Sequence, residues 1–232
     1  MVYPGNPYLA DDTPHPRATS EMINAARLIP GTALQIRTRD WHLAWCNQTY
    51  ADMVRESPAT LVGSHLSSVM PQDAAEERMH LLAPVLTDDV RMQYLSLWQG
   101  KRCVCTVLPL DADSLGLDGM LGVITPTLLP ELGRNLPITQ RPVLGAGLES
   151  LSRAELGIVY LFARGLTVPE VARRLCRSPQ TVHQHFKSIH RKLGLNRQMD
   201  VAMFLARSGI AGFSELQWCA MTGCFIPGPA GN

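Results

Sequence analysis

Signals that would place this chain of 232 residues in a membrane or among secreted proteins are missing from its sequence. No apolar run approaches the length of a transmembrane helix, about twenty residues. The first residues, rich in Pro, Asp and Thr, do not combine a basic region with an apolar stretch, as a signal peptide would. The six cysteines include no CxxC motif and no spacing typical of a zinc site. We therefore expect a cytoplasmic protein without a membrane contact or a metal site, whose thiols stay reduced.

The residue sets that carry most enzyme chemistry are also lacking. There is no Ser/His/Asp or Cys/His combination and no Gly-rich loop that would hold phosphates. Glu76 and Glu77 are adjacent, so on a helix they face different directions and cannot act as paired carboxylates. His65 and His80 could each ligate a haem, although a single histidine is more often a surface residue. We expect no catalytic residues, predict that the protein is not an enzyme, and leave any cofactor open.

The charges nearly balance over the whole chain but are unevenly distributed. The chain contains 21 Lys or Arg and 20 Asp or Glu. Residues 151–208 have ten basic and three acidic residues, a net charge of +7, whereas residues 1–150 have 11 basic and 16 acidic residues, a net charge of −5. A basic segment can be a solvated surface, or it can bind the phosphates of a nucleic acid. Because basic residues of this segment lie on the two-helix motif described next, we favour phosphate binding.

Residues 168–195 predict two short helices joined by a tight turn. Pro169 suits the first turn of the first helix, where its missing N–H costs nothing. Ser178 can cap the second helix, with Pro179 at its first position and Gly194 just after its end. Apolar residues recur at helical spacing in both helices: Val171, Ala172 and Leu175, then Val182, Phe186, Ile189 and Leu193. A polar helix that rests on a first helix in this way is the arrangement that enters the major groove of DNA.

The polar face of the second helix supplies the predicted DNA contacts. The N-terminal half of a groove-inserted helix reaches the base edges, and we assign base reading there to Thr181, His183, Gln184 and Lys187. Further DNA contacts are predicted for Ser178 and for the flanking basic residues Arg174, Arg177, Arg191, Lys192 and Arg197. For Arg197 an alternative stays open, in which it caps a helix or pairs within the domain.

This segment resembles the helix-turn-helix of the LuxR family. The matching residues run in order and without gaps, and include Leu151–Ser152, Glu155, Gly165–Leu166–Thr167, Glu170–Val171–Ala172, Thr181–Val182 and Lys192–Leu193–Gly194. The resemblance implies an all-α DNA-binding domain of four helices and a role in transcription regulation. In the family the last helix commonly forms a dimer contact, for which we expect Met199, Met203 and Ala206, with Val201 and Leu205 in the core.

Two positions depart from the family pattern. Val168–Pro169 stands in the turn where many members have Lys or Asn, and His183 stands where Lys is usual. These departures keep an alternative function open, that of an interaction adaptor or a ligand-binding protein with weakened DNA binding.

The first half of the chain predicts a different domain. A helix over 20–28 precedes strands over 33–37 and 43–46, helices over 48–55 and 74–86, and strands over 92–98, 102–110 and 119–124. This order, together with Trp45 to Met53 and Leu61 to Leu66, resembles a PAS domain. The resemblance implies a domain that senses a small molecule, binds a cofactor or dimerises. The cysteine signature of flavin-binding light sensors is missing, because Cys46 lies on a strand, and so is the early acidic cluster of a receiver domain.

The sequence therefore predicts an α+β protein, with an N-terminal PAS-like antiparallel sheet and short helices, followed by a C-terminal all-α four-helix LuxR-type helix-turn-helix domain. The expected segments are a flexible leader over 1–19, a PAS-like domain over 20–125, a linker over 126–147, a DNA-binding domain over 148–213 and a tail over 214–232. Cys176 is expected in the core, and Trp218 as a packing residue on one more short helix, over 214–221, that packs on the DNA-binding domain. The expected partners are double-stranded DNA and a second copy of the chain, and a small ligand for the PAS-like domain is left open.

Overall fold

The computed structural model describes residues 17–227, apart from the side chain of Gln198. Within this range the chain forms two compact units. The first unit runs to Gln93 and resumes over Cys105–Thr125, and the second takes in Tyr94–Val104 and continues from Pro126. None of the helices between residues 17 and 227 is both long enough and apolar enough to cross a membrane.

An antiparallel sheet of five strands, in the order β2-β1-β5-β4-β3, follows the predicted element order. The strands are β1 (Ala33–Thr38), β2 (Leu43–Cys46), β3 (Met92–Trp98), β4 (Lys101–Pro109) and β5 (Gly119–Pro126). The helices of this part of the chain are α1 (Ser20–Arg27), α2 (Gln48–Val54), α3 (Pro58–Leu61), α4 (Gln72–Thr87) and α5 (Ala112–Leu115). The predicted succession of two strands, short helices and three strands is confirmed.

Asn47 shows how one side chain fixes the local structure of the first unit. Its Oδ1 accepts the N–H of Tyr50 at 3.0 Å, which caps α2, and the N–H of Leu34 on β1, also at 3.0 Å. Its Nδ2 donates to the carbonyl oxygen of Thr32 at 2.9 Å. Because the same amide satisfies backbone groups of a helix and of a strand, it holds α2 against the start of β1.

Helices make up most of the second unit: α6 (Arg153–Ala163), α7 (Val168–Arg174), α8 (Pro179–Leu193), α9 (Gln198–Ser208) and α10 (Glu215–Thr222). They share one apolar core. Val201 and Leu205 of α9 lie in this core, which confirms the prediction for these two residues. Trp218 of α10 is fully buried in the same core, as predicted for a packing residue.

The boundaries predicted for the linker and the tail differ from those of the compact units. Residues 126–147 belong to the second unit, where the N–H of Leu95 donates to Pro137 and that of Gln99 to Val143, at 2.8 and 2.7 Å. A Pro-containing segment can satisfy its backbone by pairing with a strand in this way, although it has no helical or alternating pattern. The short helix expected over 214–221 is present as α10, and its buried residues lie in the core of the second unit, although the predicted domain boundary was 213.

Two smaller predictions need revision. Cys176 is exposed and adopts φ 51° in the turn between α7 and α8, so it is not a core residue. The turn requires a left-handed backbone there, which sets the side chain outside the apolar stripe.

Ala18 is fully buried and its N–H donates to the carbonyl oxygen of Pro109 at 2.8 Å, so the fold begins before residue 20. The rest of the predicted leader, residues 1–16, and the last five residues lie outside the described range.

Candidate nucleic-acid interface

The predicted helix-turn-helix is confirmed, and hydrogen bonds fix its helix ends. The N–H of Thr167 donates to Oε2 of Glu170 at 2.7 Å, which closes a capping box at the start of α7. Oγ of Ser178 accepts the N–H of Thr181 at 3.1 Å at the start of α8. Gly194, with φ 66°, ends α8 in the left-handed conformation that glycine adopts without strain. Both helices therefore have defined starts, and the turn between them has a defined geometry.

Helix α8 has one buried and one exposed face. Val182, Phe186 and Ile189 are buried, and the Phe186 ring meets the Phe162 ring of α6 edge-on at 4.1 Å between centroids. This apolar contact fixes the rotation of α8 about its own axis, and hence which side chains face outward. The exposed side chains on the opposite face are His183, Gln184, Lys187 and Arg191.

Two residues of the predicted polar face are partly covered. Thr181 is half-buried, and its hydroxyl hydrogen bonds to the Ser178 hydroxyl at 2.9 Å. His190 is also half-buried, and its Nδ1 lies 2.9 Å from the carbonyl oxygen of Leu195, so Nδ1 carries the proton and donates it. Of the four residues predicted to read bases, His183, Gln184 and Lys187 are therefore the most accessible.

An open hollow of about 640 Å³ lies beside this face of α8. Its basic lining consists of His183, Lys187, His190 and Arg191, and its apolar lining includes Val168, Phe186 and Leu195. Basic groups gathered around a concave surface attract anions more strongly than the same groups on a flat surface. The hollow is therefore a place on the exposed face of α8 where an anionic group would be attracted.

Lys192 is engaged inside the domain, whereas the sequence predicted a DNA contact. Its Nζ lies 2.7 Å from Oε2 of Glu155 on α6, and the Glu155 side chain is only 4% exposed. The same oxygen accepts the N–H of Ser152 at 2.7 Å. Burial alone would raise the pKa of Glu155, but hydrogen bonds from Lys192, Ser152 and Ser188 outweigh it and lower the pKa to about 2. This ion pair joins the end of α8 to the start of α6, which is a structural role.

The Glu155 carboxylate should make stability depend on pH. Its pKa is about 2 in the folded chain against an ordinary 4.5, so its contribution is present above about pH 4.5 and is lost as the pH falls towards 2. The shift corresponds to about 3 kcal/mol of the free energy of unfolding. We expect Glu155→Gln to remove most of this pH dependence in urea titrations between pH 2 and 7. The exposed Glu149→Gln is the matched control, and equal slopes for both variants would contradict the assignment.

Arg174 also forms an ion pair within the domain, so its side chain is not free on the surface. Its Nη2 lies 2.8 and 3.0 Å from the two carboxylate oxygens of Glu215, so the pair ties α7 to α10. The Arg174 side chain is 19% exposed, and its other terminal nitrogen is buried without a hydrogen-bond partner among the described residues. The geometry favours a structural role for Arg174, as it does for Lys192.

The remaining predicted phosphate contacts are more available. Arg177 and Arg191 are exposed and make no ion pair with any residue between 17 and 227. Arg197 is exposed as well, and its backbone N–H donates to Oδ2 of Asp200 at 3.1 Å at the start of α9. The alternative in which Arg197 caps a helix therefore concerns its backbone, and its guanidinium stays exposed.

The predicted dimer residues lie on the outer side of α9. Met199 is 67% exposed and Met203 is 45% exposed, and Ala206 is exposed beside them. Val201 and Leu205 point the other way, into the core. The exposed methionines form an apolar strip on the outer side of α9, whose inner side is held in the core. An exposed apolar strip of this kind is suited to contact with another protein.

The two histidines considered for haem lie in different surroundings, and the ring of His65 is 5.3 Å from that of His42 between centroids. His65 is half-buried, with Nδ1 2.8 Å from the hydroxyl of Ser67, and His80 is exposed on α4. Within the part of the chain that the structure describes, no three His, Cys, Asp or Glu side chains are placed to hold a metal ion.

The sequence does not reveal the acidic partners of two residues that were predicted as DNA contacts. These partners are Glu155 for Lys192 and Glu215 for Arg174. The spacing Ser152-x-x-Glu155 is that of a capping box, and it could have located Glu155 at a helix start. Its pairing with Lys192, which is 37 residues away, had no signal in the sequence. The pairing of Glu215 with Arg174, which is 41 residues away, has no signal in the sequence either.

Comparison with known families agrees with both parts of this description. Residues 149–205 match the family described as bacterial regulatory proteins, luxR family, and residues 29–127 match the PAS fold. The chain carries a LuxR-family domain and a PAS-fold domain. Both resemblances read from the sequence are thereby confirmed, as is the α+β fold class.

The LuxR-family domain is also similar to mycobacterial proteins. The chain is 37% identical over 70 residues to proteins named as HTH-type transcriptional regulators, Rv0890c of Mycobacterium tuberculosis and Mb0914c of Mycobacterium bovis. The match covers 30% of this chain, and the chain spans about 8% of the length of these relatives.

Two solved structures are similar to different lengths of this chain. A Vibrio cholerae VqmA–ligand–DNA complex is 16% identical, with a TM-score of 0.43, over 85% of this chain and 92% of that chain. A domain of an HTR-like protein from Haloarcula marismortui is 21% identical, with a TM-score of 0.38, over 41% of this chain and 97% of that chain. Similarity of this extent decides nothing about the ligands or the assembly of the present chain.

Proposed function

We propose that this protein is a transcription regulator that binds double-stranded DNA by inserting α8 into the major groove. The observation that carries the proposal is the exposed set His183, Gln184 and Lys187, on the N-terminal half of a helix whose opposite face is buried. A glutamine can pair with adenine and a lysine with guanine across the groove. Ser178 caps α8, and Thr181 lies in its first turn, next to the exposed set. The N–H groups of a helix N-terminus favour binding of a phosphate.

The contacts to the DNA backbone are assigned to Arg177, Arg191 and Arg197. These three guanidinium groups are exposed and surround the start and end of α8. We leave Arg174 and Lys192 out of the interface, because each already pairs with a carboxylate of its own domain. Contacts of this kind supply affinity for any sequence and make binding depend on salt. A regulator of this type acts on the chromosome, which for a bacterial protein means the cytoplasm.

We further propose that the protein works as a homodimer. One helix-turn-helix reads few base pairs, so useful specificity needs two copies on matched half-sites. The strip formed by Met199, Met203 and Ala206 is the proposed contact between the LuxR-family domains on DNA. The PAS-fold domain is proposed as the main dimerisation element, as the sensor of a small ligand, or as both.

Binding to paired half-sites tests both proposals at once. Duplexes selected from a random library supply the site, and the full chain is then titrated against one half-site and against two inverted half-sites one helical turn apart. We expect roughly tenfold or greater preference for the paired site. Met199→Glu combined with Met203→Glu should reduce that preference, while the exposed Leu216→Glu on α10 should leave it unchanged.

The outcomes separate the parts of the proposal. Equal affinity for single and paired half-sites, with a monomeric mass from light scattering, would contradict the dimer but leave DNA binding in place. No salt-dependent retention on any duplex would contradict DNA binding itself, and would favour the interaction adaptor.

A further inference from the structure

Two cysteines meet at the C-terminal end of α10. Sγ of Cys219 lies 3.3 Å from Sγ of Cys224, and both thiols are free. Cys219 sits in the last turn of the helix, and Gly223 follows the helix with φ 65°. The N–H of Gly223 donates to the carbonyl oxygen of Cys219 at 2.9 Å. This left-handed cap reverses the chain, so that Cys224 returns over Cys219.

We propose that Cys219 and Cys224 form a redox-active dithiol, which closes to a disulfide and fastens the segment 224–227 to α10. A disulfide bond is about 2.0 Å long, so the two sulfurs need to approach by about 1.3 Å from their present separation. A change of that size lies within reach of side-chain rotation next to a glycine turn. The proposal goes beyond DNA binding and does not depend on it.

The surroundings of the pair define the order of the reaction. Cys219 is half-buried, whereas Cys224 is buried, so Cys219 is the thiol that a small oxidant reaches first. As a thiolate it attacks one sulfur of a low-molecular-weight disulfide such as glutathione disulfide, forms a mixed disulfide and releases one thiol. Cys224 then loses its proton, attacks the Cys219 sulfur and releases the second thiol. Two protein thiols and one small disulfide thus become one protein disulfide and two small thiols.

Burial keeps the Cys224 thiol protonated. It raises the pKa of the Cys224 thiol to about 12, and the neighbouring Cys219 adds to this effect. A low thiol pKa makes a disulfide easy to reduce, because the thiolate stabilises the reduced state. The Cys224 thiol stays protonated at neutral pH, so ionisation does not stabilise the reduced form and does not oppose closure.

The segment that the disulfide would hold packs on α6. Gly157 of α6 faces Cys224 and Ile226, since a Cβ built there would lie 3.9 and 3.6 Å from their side chains. Ile226 is buried in the core of the second unit. Closure would therefore fix residues 224–227 against the first helix of the LuxR-family domain.

Mass spectrometry of the native full chain gives the test. The protein is equilibrated with glutathione buffers of increasing oxidised fraction, alkylated and digested with trypsin. The tryptic peptide that begins at Ser208 contains Cys219 and Cys224 and no other cysteine, because no Lys or Arg follows Arg207. We expect this peptide to escape alkylation and to lose about 2 Da. The oxidised protein should also unfold at a higher temperature than the reduced protein, because the crosslink restricts the unfolded chain.

Two variants provide the controls. Cys219→Ser should abolish the mass loss, and Cys176→Ser, which removes an exposed thiol elsewhere, should retain it. The proposal is overturned if the wild-type peptide stays fully alkylated in the most oxidising buffer, or if it closes only after unfolding in urea. Since both of these readouts come from the wild-type chain, a variant that fails to fold does not obscure the result.

Discussion

Replacing Gln184 and Lys187 together by alanine should remove about 2–6 kcal/mol of specific DNA binding, since each such base contact contributes roughly 1–3 kcal/mol. In affinity for the selected site this is a loss of roughly 30-fold to 10⁴-fold. Both side chains are exposed and lie three positions apart on α8, so they can reach neighbouring base pairs from one face. Equilibrium titration against the selected site and against scrambled duplexes measures the effect.

The loss should be confined to the selected site, because the two side chains take no part in the core of the domain. Affinity for scrambled duplexes should fall much less, and the circular dichroism spectrum should be unchanged. Arg191→Ala is the matched contrast on the same helix. As a phosphate contact it should weaken all duplexes about equally and lower the slope of log affinity against log salt by about one.

Two results would contradict the assignment of base reading to Gln184 and Lys187. Full affinity of the double variant for the selected site would show that other residues read the bases. Equal loss on selected and scrambled duplexes would show that Gln184 and Lys187 act only through general attraction to the backbone.

The helix-turn-helix could be predicted closely because its signals are local. Ser178, Pro179 and Gly194 set the two ends of α8 through capping and backbone preferences that depend on the nearest residues alone. The buried stripe of Val182, Phe186 and Ile189 follows from helical periodicity. The order of strands and helices in the PAS-fold domain was predictable for the same reason.

The charged contacts could not be predicted, because they join residues far apart in the sequence. A basic residue has the same appearance in a sequence whether it faces solvent or a buried carboxylate. Lys192 and Arg174 were therefore grouped with Arg177 and Arg191, although the first two pair with Glu155 and Glu215. The three-dimensional neighbourhood of each residue, and not its type, decides between a structural and a binding role.

Arg102 makes the same point more strongly. It is fully buried within the second unit, where its guanidinium donates to the carbonyl oxygens of Leu129 and Leu132 at 3.0 and 2.6 Å. The same group lies 5.4 Å from the centroid of the Phe213 ring. Burial lowers the pKa of Arg102. No sequence pattern marks an arginine for burial, because its partners are backbone groups of a segment without regular structure.

The C-terminal boundary of the helical domain also depends on contacts between residues far apart in the sequence. Helix α10 is only eight residues long, so its apolar residues predict a short packed helix but do not fix the boundary of the domain. In addition to the ion pair between Arg174 and Glu215, Trp218 holds α10 in place, because its Nε1 donates to the carbonyl oxygen of Leu156 on α6 at 3.1 Å. The indole also stacks on the Tyr160 ring at 5.8 Å between centroids, with 18° between the ring planes. A tryptophan in such a setting supplies both apolar area and a satisfied N–H.

Trp218→Ala should accordingly destabilise the second unit by about 3–5 kcal/mol, the cost of removing a fully buried aromatic side chain and leaving a cavity. Leu216→Ala on the same helix is the matched control, because Leu216 is 82% exposed and its loss should change stability by less than about 0.5 kcal/mol. Urea titration followed by far-ultraviolet circular dichroism gives both values, and hydrogen exchange should show that the amides of α6 lose protection in Trp218→Ala alone. If the two variants instead unfold at the same urea concentration as the wild type, α10 is an appendage after all and the originally predicted end of the domain at residue 213 would stand.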